Sequence, residues 1–150
     1  MNVKIVKLRP NASIPKYMST GAAGCDLTAC LEKSIVLAPG QRMGVPTGLA
    51  FEIPQGFEIQ VRPRSGFAIK KGLTLINPPG TIDSDYRGEV QVLMVNLGEA
   101  PVEIEHGDRI AQLVLQRVEQ IQWLEVSDLS DTDRSVGGFG STGFKNQPSL

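Results

Sequence analysis

Apolar and polar residues alternate along much of this chain, which is the pattern of β-strands that bury one face. Residues 57–61 alternate cleanly, as Phe-Glu-Ile-Gln-Val. Residues 89–95 begin with the same alternation and then become apolar on both faces, which indicates a strand that passes from an edge into a buried layer. Similar patterns predict further strands over residues 3–8, 34–37, 48–53, 102–105 and 122–126.

Helical patterns are scarce. Residues 110–118 place apolar side chains at helical spacing, but the segment is short and crowded with Val and Leu, so we predict a strand. The sequence allows one short helical turn over residues 65–71. Turn-forming residues separate the strands, and the ten prolines and sixteen glycines fit many short strands. The predicted class is therefore all-β, as a sandwich, barrel or jelly roll.

The composition is that of an ordinary globular domain, with 41% hydrophobic and 21% charged residues among 150. A net charge of −1 lacks the basic excess of a protein that coats nucleic acid, although a few local cations suffice for one phosphate-bearing ligand. The first residues lack the apolar core of a signal peptide, and no apolar run reaches the length of a membrane span. Cys25 and Cys30 are predicted to be reduced thiols. We therefore expect a cytoplasmic protein.

The last part of the chain differs from the rest. Residues 127–150 are mostly Ser, Asp, Gly, Thr and Asn, so burial of their few apolar side chains cannot offset the entropy of ordering them. This composition predicts a folded domain over residues 1–126, followed by a flexible arm over residues 127–150. The arm contains the sequence R-S-V-G-G-F-G-S-T-G at residues 134–143.

The glycines of this arm admit several interpretations. Residues 138–143 match the dinucleotide fingerprint G-x-G-x-x-G, but only seven residues follow them, too few for the helix that the fingerprint requires. A Walker loop needs Lys directly after its last Gly, where Phe144 stands. Two interpretations remain. One is a plain flexible tail, which composition alone favours. The other is a phosphate cover of backbone N–H groups with Arg134, Ser141 and Thr142.

Residues 81–88 bring two carboxylates, a Tyr and an Arg into one turn. Asp83, Asp85 and Gly88 match three positions of a calcium-binding loop, but Met94 occupies the position where that loop requires Glu. A calcium site is therefore rejected. The turn is either an acidic surface loop with an internal ion pair, or it carries a carboxylate that orients or deprotonates a water molecule.

Three other segments are weak signals on their own. Residues 62–66, R-P-R-S-G, end a strand with two guanidinium groups and a hydroxyl, which suits phosphate oxygens or a solvated strand end. Residues 23–27 read A-G-C-D-L, and residues 107–113 read G-D-R-I-A-Q-L. His106, the one histidine, stands beside Gly107 in a predicted turn, so we interpret it as a surface residue and not a catalyst.

Taken in order, with the third segment extended to residues 80–89 as G-T-I-D-S-D-Y-R-G-E, these five segments resemble the five signature motifs of trimeric dUTPases, from residue 23 to residue 143. The resemblance implies a homotrimer of jelly-roll-like β-barrels whose active sites combine motifs from all three subunits. It implies hydrolysis of dUTP to dUMP and pyrophosphate with Mg²⁺, which limits uracil incorporation into DNA and supplies dUMP for dTMP synthesis. No nucleic acid or membrane partner is implied.

The resemblance also assigns roles to residues. Asp83 matches the carboxylate that contacts the 3′-hydroxyl and orients the attacking water, and Tyr86 matches the ring that excludes a 2′-hydroxyl. Asp26 matches the acid linked through water to Mg²⁺, which the substrate phosphates mainly hold. The remaining substrate-binding positions are Asn77, Gly80, Thr81 and Ile82 for the uracil hairpin, Arg64, Ser65, Gly66 and Gln112 for the phosphates, and Arg134, Phe139, Gly140, Ser141 and Thr142 in the arm, where Phe139 would stack on uracil.

Two other functions are weighed against this one. A dCTP deaminase has the same fold but needs an acid/base group, typically Glu, at the pyrimidine amino group, whereas residues 83–86 read D-S-D-Y here. A nucleotide-sensing module would bind dUTP and present a closed arm to a protein partner without turnover. The presence of Asp83 argues against a purely binding role.

Overall fold

A computed structural model describes residues 1–139, and the described residues are mostly β-strands with one short helix. This confirms the all-β prediction. The elements are β1 (Lys4–Lys7), β2 (Cys25–Thr28), β3 (Ile35–Leu37), β4 (Arg42–Pro46), β5 (Leu49–Glu52), β6 (Phe57–Arg62), α1 (Ser65–Lys71), β7 (Leu73–Leu75), β8 (Gly80–Ile82), β9 (Gln91–Asn96), β10 (Val102–Ile104) and β11 (Arg109–Arg117).

The strands pair antiparallel in four small sheets. The largest has the order β2-β11-β6-β8, and a three-stranded sheet has the order β4-β9-β7. Two further pairs, β1 with β5 and β10 with β3, complete the set described. Neighbours in the large sheet are distant in sequence, so strand pairing brings motifs from opposite ends of the chain together.

One continuous apolar core lies among these sheets. Its fully buried members come from many different strands, among them Leu27, Leu37, Leu49, Leu73 and Ile104. Each such side chain contributes roughly 1.5–3 kcal/mol relative to leaving it in water. The core therefore fixes the strand ends, on which most candidate site residues lie.

The clearest sequence patterns are confirmed. Residues 57–61 lie in β6, and β9 shows the expected change from alternating to continuous burial. Residues 110–118 fall largely in the strand β11, and α1 occupies residues 65–71. The helix ends at Gly72, whose φ of 65° is in the left-handed region and whose N–H caps carbonyls of the last turn.

The predicted strand at residues 122–126 is wrong. These residues form no strand in the part of the chain described, and Trp123 is 90% exposed. A strand requires a hydrogen-bonding neighbour, and no strand among residues 1–139 pairs with this segment. In contrast, β2, β4, β7 and β8 were not predicted, because they are short or lack alternation.

The chain divides into two units, residues 1–119 and 120–150. The first contains all the elements above. The described part of the second consists of irregular backbone with a turn in which Ser135 N–H donates to Thr132 O and Gly137 N–H to Arg134 O. Among residues 1–139, no helix is long and apolar enough to cross a membrane.

Candidate active site

A cavity of about 480 Å³ opens beside β8. It brings together six of the predicted site residues with others that the sequence did not indicate. Its lining comprises Val61, Leu75, Asn77, Gly80, Thr81, Ile82, Asp83, Tyr86, Glu89, Val90, Gln91 and Leu93.

Strand pairing places β8 at the wall of this cavity. Gly80 pairs with Val61 and Thr81 pairs with Gln60, so β8 forms the edge of the large sheet. A Cβ atom on Gly80 would lie 3.3 Å from Asn77 Nδ2 and 3.4 Å from Val61 Cβ. Glycine therefore permits the hairpin to close tightly, and it leaves backbone groups near the space that a flat ligand would occupy.

The loop after β8 carries Asp83 and Tyr86. Tyr86 N–H donates to Asp83 O at 3.2 Å, and the Arg87 guanidinium donates to Ser84 O at 2.7 Å and to Tyr86 O at 2.9 Å. These bonds hold the loop as a compact turn. The side chains of Asp83 and Tyr86 are exposed and line the cavity, so both are accessible to a ligand and to water.

Glu89 lines the same cavity and was not identified from the sequence. Its Oε1 accepts the Gly48 N–H at 2.8 Å, and its Oε2 lies 3.5 Å from Arg9 Nη2. Both carboxylate oxygens are therefore engaged in contacts with distant parts of the chain. The last two residues of the third motif, Gly88 and Glu89, were the local signal, but the partners of Glu89 lie 41 and 80 positions away.

A second cavity, of about 300 Å³, collects residues from three other motifs. Ser65 and Gly66 begin α1, and the first N–H groups of a helix lack intrahelical partners. These N–H groups, the guanidinium groups of Arg64 and Arg109 and the Ser65 hydroxyl are all hydrogen-bond donors that suit an anion such as phosphate. The lining residues are Met18, Ala22, Gly24, Asp26, Arg64, Ser65, Gly66, Arg109 and Gln112.

Asp26 is held between two guanidinium groups in this cavity. Its Oδ1 lies 3.4 Å from Arg64 Nε, and its Oδ2 lies 3.1 Å from Arg109 Nη1. Arg64 also donates to Arg109 O at 2.9 Å. Two cations and one carboxylate leave a net charge of +1 on this surface, so it attracts an anionic ligand.

A β-bulge brings Arg109 into this group. In β11, Gln112 lies opposite Asp26, and the register against β2 shifts between Arg109 and Ala111. In a regular strand, residues three apart such as Arg109 and Gln112 point to opposite faces of the sheet. The extra residue of the bulge places both side chains on the same face. Consistent with this, the neighbours Ile110 and Ala111 are both buried. Arg109 was within a recognised motif, but its position depends on an irregularity that the sequence did not reveal.

The side chain of Gln112 is held against the end of β6. It donates from Nε2 to Pro63 O at 3.0 Å, and a Cβ atom on Gly24 would lie 2.8 Å from its Oε1. Because Gln112 also pairs with Arg62, the register between β6 and β11 fixes its position beside Arg64. The structure thus brings Arg64, Gln112 and Asp26 together around one cavity.

A magnesium ion in a protein is coordinated mainly by oxygen atoms of carboxylates, phosphates and water. Among residues 1–139 there is no group of three or more His, Cys, Asp or Glu side chains placed to hold a metal. Asp26 offers carboxylate oxygens, but both already face guanidinium groups. This arrangement does not suit a metal cage made by the protein alone.

Two of the candidate arm residues, Arg134 and Phe139, lie among the described residues. Arg134 is exposed and donates from Nε to Gly137 O at 2.9 Å, and Phe139 is also exposed. Both belong to the second unit. The candidates Gly140, Ser141 and Thr142 lie outside the described residues.

Cys25, Cys30 and His106 have structural surroundings. Both cysteines are free, and burial raises the pKa of the Cys25 thiol, which disfavours the reactive thiolate. His106 Nδ1 accepts the Leu31 N–H at 3.2 Å and so supports a turn. None of the three lines either cavity described above, although Asp26, the neighbour of Cys25, lines the second.

Comparison with known proteins assigns the family. A family model described as dUTPase matches residues 10–143. The deoxyuridine 5'-triphosphate nucleotidohydrolase of Desulfotalea psychrophila is 58% identical over 131 residues, which is 87% of each chain. The Staphylococcus bacteriophage 80alpha dUTPase, solved with dUPNHPP, has a TM-score of 0.87 at 26% identity and covers 95% of this chain and 99% of its own.

A more distant structure shares the fold. It is a mutant of the dUTPase from phage phi11 of S. aureus, described as revealing the coordination of a structural Mg(II) ion. Its TM-score is 0.78 at 22% identity, and it covers 85% of this chain and 98% of its own. The jelly-roll fold of dUTPases fits the strand arrangement seen here. Because the family model covers most of the chain and the relative from Desulfotalea psychrophila is 58% identical, this chain belongs to the dUTPase family.

Proposed function

We propose that this protein hydrolyses dUTP to dUMP and pyrophosphate. The observation that carries the proposal is the placement of two unlike cavities along one pair of strands. Val61 of β6 pairs with Gly80 at the first cavity, and Arg64, three residues later, lines the second. A flat base and sugar match the first cavity in size and lining, and an anionic chain matches the cations of the second.

The first cavity is assigned to the deoxyuridine part of the substrate. Backbone groups of Gly80, Thr81 and Ile82, with the Asn77 amide, would read the edge of the uracil ring. Tyr86 would pack against the sugar, where a ring leaves no room for a 2′-hydroxyl. Polar readout of this kind discriminates strongly, because a wrong base leaves buried donors or acceptors unpaired.

The second cavity is assigned to the phosphates. Arg64, Ser65, Gly66 and Gln112 would contact phosphate oxygens through charge and hydrogen bonds. Asp26 would accept hydrogen bonds from water bound to Mg²⁺, with the substrate phosphates as the main ligands of the ion. When bound, the ion supplies charge neutralisation on the phosphate oxygens.

Asp83 is assigned to the nucleophile. Its exposed carboxylate would accept a hydrogen bond from one water molecule and hold that oxygen toward the α-phosphorus. Proton transfer to the carboxylate would accompany formation of the new P–O bond, and pyrophosphate would leave on the opposite side. Developing charge would be stabilised by Arg64 and by the helix N–H groups.

We infer in addition that residues 127–150 form an arm that closes a site shared among three copies of the chain. Arg134, Phe139, Gly140, Ser141 and Thr142 would contact the γ-phosphate and the uracil ring. Supporting this are the glycine content of the arm and the exposed apolar side chains of the first unit, such as Ile14 and Met18. Closure would exclude bulk water from the reaction. The free thiols support an intracellular, reducing location, which we infer to be the cytoplasm.

Deamination of dCTP is disfavoured by the surroundings of Glu89. This residue is the glutamate that lines the first cavity, but its carboxylate oxygens contact Gly48 N–H and Arg9. A carboxylate fixed in this way is poorly placed to exchange protons with a pyrimidine amino group. A purely sensing role would leave Asp83 without a purpose.

The proposal is tested by product release from dUTP, dTTP, dCTP and UTP, with and without Mg²⁺. Pyrophosphate should form from dUTP with Mg²⁺, and ammonia should not form from dCTP. Asp83→Asn should retain dUTP binding and lower kcat by about a hundredfold or more, which is the scale of a lost general base. Wild-type turnover in this variant would show that Asp83 does not activate the water molecule. Ammonia release from dCTP would show that the protein is a deaminase and not a dUTP hydrolase.

A further inference from the structure

The ring of Tyr86 lies directly against the backbone of Gly88, two residues further along the same loop. A Cβ atom on Gly88 would overlap with Tyr86 Oη, and it would lie 2.7 Å from Cζ and 3.1 Å from Cε2. Non-bonded carbon atoms prefer a separation of about 3.5–4.0 Å. The ring therefore occupies space that exists only because residue 88 has no side chain.

The backbone beneath the ring is fixed. Thr47 Oγ1 donates to Val90 O at 2.6 Å, and Val90 N–H donates to Leu49 O at 2.8 Å. The Glu89 carboxylate accepts the Gly48 N–H at 2.8 Å. Thr47 and Val90 are buried, so these hydrogen bonds are protected from water. The segment cannot retreat from the ring without breaking several of them.

The ring itself is free to move. Tyr86 is 46% exposed, and one hydrogen bond, from its Oη to Glu89 O at 3.0 Å, holds the end of the side chain. Gly88 does not have a positive φ, so an alanine there would not strain the backbone. A methyl group at residue 88 would accordingly displace the tyrosine ring and leave the loop in place.

We propose that Gly88 is a positioning residue that sets the place of the Tyr86 ring and thereby the discrimination between 2′-deoxyribonucleotides and ribonucleotides. The proposal rests on the proposed function, in which Tyr86 packs against the sugar. Because the ring rests against residue 88, the absence of a side chain there decides where this wall of the cavity lies. Moving that surface changes the space available at the 2′ position while the uracil contacts of β8 remain.

The test compares kcat/KM for dUTP and UTP in Gly88→Ala. The ratio of the two values should fall by about tenfold or more, since a misfit of one methyl group changes selectivity on that scale. The melting temperature should stay close to that of the unmodified protein. Gly21→Ala is the matched control, because a Cβ atom there would meet nothing within 4 Å and its φ is not positive, and its ratio should not change.

A double-mutant cycle with Tyr86→Ala separates this role from a general structural one. Tyr86→Ala should lower the ratio by itself, and adding Gly88→Ala should then have no further effect. An equal effect of Gly88→Ala in both backgrounds, an unchanged ratio in the single variant, or a loss of folding would each overturn the proposal.

The outcomes also distinguish this inference from the function on which it rests. Absence of dUTP hydrolysis in the unmodified protein would overturn the proposed function and this inference together. An unchanged ratio in Tyr86→Ala would overturn the role of Tyr86. A lowered ratio in Tyr86→Ala with a normal ratio in Gly88→Ala would overturn the role of Gly88 alone.

Discussion

Asn96 is a buried polar side chain whose amide forms hydrogen bonds to three other residues. It is 0% exposed, and its Nδ2 donates to Leu37 O at 2.8 Å and to Ala100 O at 2.9 Å. Its Oδ1 accepts the Gly98 N–H at 2.9 Å. The amide therefore joins the end of β9 to β3 and to the turn that leads to β10.

The perturbation is Asn96→Asp, which keeps the acceptor and replaces the donor with an oxygen that faces two carbonyl groups. An ionised carboxylate is excluded by these neighbours, so the folded state must hold the new group protonated and its pKa is raised. With an unfolded pKa of about 3.9, remaining neutral at pH 7 costs about 4 kcal/mol. One lost hydrogen bond adds about 1 kcal/mol. The expected loss of stability is therefore about 5 kcal/mol at pH 7.

The pH dependence identifies the cause. Because the folded pKa is raised, the stability of Asn96→Asp relative to the unmodified protein is greatest below the unfolded pKa and falls as pH rises. The difference should shrink by about 1.4 kcal/mol for each pH unit below 7, to about 2–3 kcal/mol at pH 5. Asn96→Ala, which introduces no titrating group, should show a difference that does not change with pH.

The assay is urea unfolding of the three proteins at pH 5, 6 and 7, at one protein concentration because an oligomer's stability depends on it. A loss of stability in Asn96→Asp that is equal at all three pH values would contradict this prediction. It would mean that the carboxylate is ionised and hydrated, and hence that the Asn96 amide is not enclosed as described.

Two further predictions concern the second cavity, which is assigned to the phosphates, and the C-terminal arm. Arg109→Gln should raise KM for dUTP by about tenfold, because one charged hydrogen bond to the phosphates is lost. It should lower the free energy of unfolding by no more than about 1 kcal/mol, since the ion pair with Asp26 is partly exposed. An unchanged KM in steady-state kinetics would show that Arg109 does not bind the substrate. Deleting residues 133–150 should leave a trimer by light scattering with kcat reduced by about a hundredfold through lost positioning, whereas a monomeric or unfolded product would show that the arm is structural.

The parts of the fold that could be predicted were those in which one strand face is buried. The alternation in β6 and β9 reflects contact with the core, and that contact is encoded residue by residue. In β4, Gly44 and a terminal Pro46 weaken the pattern, and pairing with β9 supplies the strand instead. The segment at residues 122–126 has the pattern but pairs with no strand in the described part of the chain. Alternation therefore indicates that one face favours burial, but it does not identify the neighbouring strand.

The same distinction applies to the site. Asn77, Asp83 and Tyr86 could be grouped from the sequence because they lie in one hairpin and loop, and they line one cavity. Glu89 and Arg109 could not be assigned in this way. Glu89 acts through contacts with Gly48 and Arg9, which depend on tertiary structure, and Arg109 depends on the register of β11 against β2.

Because of the bulge in β11, the charge of the second cavity depends on the number of residues in that strand. With the extra residue, Arg109 and Arg64 flank Asp26, and the cavity carries one net positive charge. If a single residue were deleted between Arg109 and Gln112, the guanidinium would turn to the opposite side of the sheet and the cavity would become neutral. A change in the number of residues in β11 can therefore alter the net charge of this cavity without replacement of any ionisable residue.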